Sequence, residues 1–129
     1  MTINIENALE RFQLQLQANG RSTHSINQYR RHVLLLAKWL PDEPVRGDVA
    51  AIDHDVLARF LVSPCALTCR DGRPKKLSSV NALRGSLRGF FKYLHEAGHV
   101  TADPSRFIQR AHCGEAPPPT LSNIEQEQL

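Results

Sequence analysis

An all-α bundle of four to five helices is the fold class this sequence predicts, and three observations predict it. Apolar residues recur at spacings of three and four over four separate stretches, the period of a helix with one buried face. No stretch alternates apolar and polar residues for long enough to make a strand. Gly, Pro and Ser or Asp fall where those helices should start and stop. With 129 residues, 41% hydrophobic and 22% charged, the chain is long enough for one core and too short for two.

The first helix covers residues 5–17. Ile5, Leu9, Phe12 and Leu16 form its apolar stripe, and Asn19-Gly20 ends it. The second runs over residues 23–40, with Ser22 as N-cap and Pro41 as stop. Its buried face holds Ile26, Tyr29, Val33, Leu36, Ala37 and Leu40. The third, residues 54–62, opens at Asp53 and buries Val56, Leu57, Phe60 and Leu61. Residues 64–77 read as a loop, since Asp71-Gly72 is a turn signal and Pro74 a breaker. The fourth helix spans residues 79–96 and stops near Gly98. Its stripe is Val80, Leu83, Leu87, Phe90, Phe91 and Leu94. A short fifth helix follows to residue 110, with Asp103 as cap, Pro104 in its first turn, and Phe107 and Ile108 docking it. Residues 1–111 then form the bundle and 112–120, with three consecutive prolines, a stiff linker. The capping box Ser122-Asn123-Ile124-Glu125 opens a further helix within 121–129. That opening predicts a longer parent protein.

Composition excludes several classes. The longest apolar run, residues 33–37, is far below the ~20 residues of a membrane span. The start, Met1 to Glu6, lacks the basic and apolar regions of a signal peptide, so the expected compartment is the cytoplasm. Three cysteines do not suggest a disulfide framework. Cys65, Cys69, His112 and Cys113 match no common zinc spacing, so reduced thiols and no metal are expected. There is no phosphate-binding glycine loop and no catalytic constellation. No cofactor is expected.

The charge distribution is the informative part. Residues 11–41 and 70–95 together hold twelve Lys/Arg and one acid, a net of +11. The remaining residues hold four against twelve, a net of −8. Such segregation suits a polyanion if the two segments meet in space. On the fourth helix, Ser78, Ala82, Gly85 and Gly89 fall on one side, opposite the apolar stripe, with Asn81, Arg88 and Lys92 beside them. Two glycines inside a helix cost ~1 kcal/mol each relative to alanine, which implies a close approach by something. With Arg and Lys flanking, that something is a phosphate-bearing partner; the alternatives are a second helix packed on the stripe, or neutral drift with no close approach. His24, Asn27, Gln28, Arg31 and Lys38 form a matching outer face on the second helix, with amides able to read base edges and cations able to bind phosphate. His24, Gln28, Arg31, Lys75, Lys76, Ser78 and Arg88 are thus expected to share one surface. Trp39 is expected to pack rather than to stack on bases.

These segments resemble a known family. Gly20-Arg21-Ser22, continuing through Ser25 to Tyr29-Arg30-Arg31, is similar to the opening of the core-binding domain of tyrosine recombinases, the phage integrases. Trp39-Leu40 suits the end of that helix. Ser79-Val80-Asn81 and the run from Leu87 through Arg88, Phe90, Phe91 and Tyr93 to Leu94 resemble its signature helix. Residues 98–104 resemble its Gly-to-Asn-Pro exit, and Leu121-Ser122 with Glu125 the entry to its catalytic domain. Ser25 and Ser79 stand where the family usually has Thr, Asp103 replaces Asn, and the 64–77 loop is longer than usual.

The resemblance implies a SAM-like orthogonal bundle whose second and fourth helices grip one side of duplex DNA. Implied contacts are His24, Ser25, Asn27, Gln28 and Arg31, then Lys75, Lys76, Ser78, Ser79, Ala82, Gly85, Ser86 and Arg88. Strand cleavage, by a tyrosine nucleophile with Arg, Lys and His partners, is implied for a separate carboxy-terminal domain. Tyr29 and Tyr93 match core positions, so this chain is expected to cleave nothing. Implied partners are double-stranded DNA, the chain's own catalytic domain and other recombinase protomers on DNA, with no membrane. A helical protein-interaction module and a DNA-binding regulator without recombinase activity are the alternatives, although no helix-turn-helix spacing appears.

Overall fold

A computed structural model describes residues 3–40 and 48–110. In chain order these form α1 (Ile5–Ala18), α2 (Thr23–Trp39), a 3₁₀ turn (Val49–Ala51), α3 (His54–Leu61), α4 (Pro64–Leu67) and α5 (Leu77–Glu96). Among the described residues there is no strand, only an isolated bridge between Thr68 and Pro74. The second and fourth helices of the sequence reading are α2 and α5. The linker and further helix expected at 112–129 lie outside the described residues, as do His112 and Cys113.

The helix ends follow the chemistry of their caps. Asn4 Oδ1 accepts the Asn7 N–H at 2.8 Å, Ser22 Oγ that of Ser25 at 3.1 Å, and Asp53 Oδ1 that of Val56 at 2.9 Å. At the other end of α1, Gly20 has φ 76°. Gly20 N–H bonds Gln17 O at 3.0 Å and Arg21 N–H bonds Leu16 O at 3.0 Å, a Schellman motif that glycine alone enters without strain. Gly98 repeats it after α5, with bonds to His95 O at 3.1 Å and from His99 to Leu94 O at 2.8 Å.

The core lies where α1, α2 and α5 meet. Phe12 of α1 is its hub. Its ring stands edge-on to Tyr29 of α2 at 5.1 Å and touches Phe90 and Tyr93 of α5 at 5.5 and 5.4 Å. Trp39 packs, as its position predicted, with its ring 5.4 Å from Phe60 of α3. The 3₁₀ turn is tied to the amino-terminal end by the Val49 N–H bond to Ile3 O at 2.9 Å. Among the described residues no helix is long and apolar enough to cross a membrane.

α5 starts at Leu77, two residues before its expected start, and two elements differ in kind from the sequence reading. The expected 64–77 loop contains the short helix α4, with Ser63 at its N-cap and Pro64 in its first turn. The expected helix after Asp103 is a turn. Asp103 Oδ1 accepts from both Ser105 N–H at 2.8 Å and Ser105 Oγ–H at 2.6 Å. A carboxylate spent two residues along makes an Asx turn, and the bonds that follow, Arg106 to Asp103 and Ile108 to Ser105, span three residues each. Ile108 docks, 8% exposed, whereas Phe107 stays 59% exposed.

Candidate nucleic-acid interface

α2 and α5 pack side by side, and two of their contacts fix the register. His32 Nδ1 and Ser86 Oγ share a hydrogen bond at 2.6 Å. One turn away, Gly89 lies under the Tyr29 ring, so that a Cβ there would sit 3.2 Å from Tyr29 Cε1. Going down α2 from residue 32 to 29 means going up α5 from 86 to 89, so the helices are antiparallel. The amino-terminal end of α5, with Lys75 and Lys76, therefore lies toward the carboxy-terminal half of α2.

Most of the residues named from sequence reach the surface. His24, Asn27, Arg31, Lys76, Ser78, Ser79, Gly85 and Arg88 are exposed. Ser25, Gln28, Lys75 and Ala82 are half-buried. Asn27 lies on the flank of α2 turned away from α5, at ~100° per residue from the His32 contact. Ser25 serves the cap of α2, its backbone and hydroxyl both meeting Ser22 Oγ.

Ser86 is a correction. It is 5% exposed and occupied by His32, so it does not face a duplex. It follows Gly85 by ~100° around the helix, which carries it from the small-residue side into the seam. Cations of the basic segments also have internal engagements. Arg84 donates to Gln109 O at 3.2 Å, on the far side of α5. Arg73 pairs with Asp71 at 2.9 Å.

The small stripe is divided. The rival reading holds at Gly89, where the close approach is made by Tyr29 of the chain itself. At Gly85 a Cβ would meet nothing within 4 Å. Gly85→Ala is thus expected to raise stability by ~0.5–1 kcal/mol through helix propensity. Gly89→Ala should show no such gain, since the Tyr29 ring must yield. Urea midpoints of the two variants compare them directly, and equal gains would contradict the division.

His32 had no role in the sequence reading. Its only signal was a place at the edge of the α2 stripe. Burial, then the charges of Arg31 and Lys75, lower its pKa from 6.5 to about 4. The imidazole is neutral at pH 7 and takes up protons more readily in the unfolded chain. Its contribution to stability is therefore present above pH 6.5 and lost as the pH falls toward 4. His32→Gln should lose less stability than the unaltered chain across that window, measured by urea unfolding at each pH. Parallel losses would contradict this.

No group of three or more potential metal ligands occurs among the described residues. Residues 9–98 match the family described as phage integrase, N-terminal SAM-like domain. The chain belongs to this family. The match begins inside α1 and ends at the glycine that closes α5, so it covers the packed helices of this phage integrase domain. Tyrosine recombinase XerC of Xylella fastidiosa strain M23 is 28% identical over 86 residues, 67% of this chain and 27% of that protein. The XerC of strain 9a5c is 31% identical over the same shares. The chain spans about a quarter of the length of these curated relatives. No solved structure matches it.

Proposed function

We propose that this domain grips one side of a DNA duplex with α2 and α5 within a site-specific tyrosine recombinase. The observation that carries the reading is the open space over Gly85, on a helix whose exposed neighbours include Ser78 and Arg88 and whose antiparallel partner exposes His24 and Arg31. Counted around each helix from the seam, Arg31 and Arg88 both turn to its solvent side. The first turn of α5 adds to the fit. It has no side-chain cap and no acid, and it follows Lys75 and Lys76, so its free N–H groups suit a phosphate. Arg31, Lys75, Lys76 and Arg88 then bind the backbone, while His24 and Gln28 reach toward base edges.

Residues 1–111 are the gripping domain in this reading, 112–120 the connection and 121–129 the entry to the catalytic domain. Strand cleavage and rejoining belong to that domain, and this chain alone cleaves nothing. Its partners are duplex DNA, that domain and other protomers at the recombination site, in the cytoplasm at the nucleoid.

Gly85→Gln tests the face. A bulky side chain at the duplex should weaken binding by roughly fivefold to a hundredfold, a misfit of about 1–3 kcal/mol, and leave the melting temperature unchanged or higher. A lower melting temperature with unchanged affinity would instead place a helix of the protein over Gly85.

A further inference from the structure

The segment between α3 and α5 builds a second wall beside the face proposed above. α4 and the turn after it leave a cleft of about 600 Å³ against the outer side of α2. Arg31 and Lys38 of α2 and Arg70 of the turn supply its cations, and Cys65, Thr68 and Cys69 belong to the opposite wall. Among the described residues no carboxylate lines it. The acid nearest in sequence, Asp71, is engaged by Arg73 through the ion pair and by the Arg73 N–H at 3.1 Å. That leaves Arg70 as the turn's uncancelled charge.

Arg70 is also held in place. Cys69 N–H bonds Arg73 O at 2.7 Å, Gly72 N–H bonds Cys69 O at 3.0 Å, and Thr68 bridges to Pro74. The backbone carrying Arg70 is thus a closed turn, and ordering it on binding costs little. His32 also lines the cleft, beside Arg31.

We infer that this cleft takes a phosphodiester of the DNA backbone, with Arg70 as a contact that the α2–α5 face lacks. The inference rests on the DNA reading and widens its footprint, continuous through Arg31. It also gives the long 64–77 segment a role: it brings a cation to the flank of α2 that α5 does not cover.

The test titrates duplex DNA against the full chain and against Arg70→Ala over a range of salt. Each phosphate neutralised contributes about −0.9 to the slope of log affinity against log salt. Arg70→Ala should flatten the slope by about 0.9 and lower affinity about eightfold at 0.1 M salt. Arg70→Lys keeps the charge and should keep the slope. Saturating duplex should also slow alkylation of Cys69 by N-ethylmaleimide, followed on the Cys69 peptide by mass spectrometry. If the unaltered chain binds duplex steeply with salt while Arg70→Ala keeps its slope and Cys69 stays unprotected, the cleft inference is overturned and the α2–α5 face stands. If the unaltered chain shows no salt-dependent binding, the face itself is overturned, and the cleft with it.

Discussion

Phe12→Ala is expected to destabilise the domain by ~3–5 kcal/mol, the range for truncating a buried phenylalanine. Phe12 is 5% exposed, and its ring is the point where α1 touches both α2 and α5. Removing it opens a cavity bounded by Tyr29, Phe90 and Tyr93. These neighbours cannot collapse into it freely. Tyr29 already presses on Gly89, and Phe90 is packed edge-on to Phe91 at 5.0 Å. A domain of this size holds ~5–15 kcal/mol in total, so the urea midpoint should fall by about a fifth or more. The effect should also reach the proposed DNA face indirectly, because the α2–α5 seam leans on the same cluster. A loss under ~1 kcal/mol would mean that α1 is not integral to the core.

The helices were legible because their signals are local. Ile5, Leu9, Phe12 and Leu16 name a face by spacing alone, and Gly20 and Gly98 stop helices through a left-handed residue that any context would require. The two cap-proline pairs show where local signals run out. Ser63-Pro64 and Asp103-Pro104 carry the same start signal, yet the first opens a helical turn and the second an Asx turn. The difference lies in what each cap does next. Asp103 reaches Ser105 two residues along, while the turn after Ser63 is continued by Thr68 N–H bonding to Pro64 O at 2.9 Å.

The site was legible in part for a related reason. Periodicity gives the angle between a residue and its own helix's core stripe, which is enough to bring Arg31, Gly85 and Arg88 to the surface. It does not give the direction of the neighbouring helix. Ser86, Gly89 and His32 all lie toward that neighbour, so periodicity offers Ser86 as a DNA contact, leaves Gly89 between a duplex and a packed helix, and gives His32 no role. The cleft beside α4 was invisible for the further reason that its two walls, one on α2 and one on α4 and the turn after it, are distant in sequence.

The central claim is that the basic surface carried by α2 and α5 is a duplex-binding surface. On that claim about four to six phosphate contacts are expected, and each releases bound counterions on binding. Affinity should then fall by roughly a hundredfold to a thousandfold between 50 and 200 mM salt. Association through apolar contacts would change little over that range. The direct measurement is a titration of duplex DNA against the full chain at several salt concentrations. The predicted result is weak binding that steepens in this way; an affinity indifferent to salt, or no binding even at 50 mM, would contradict it.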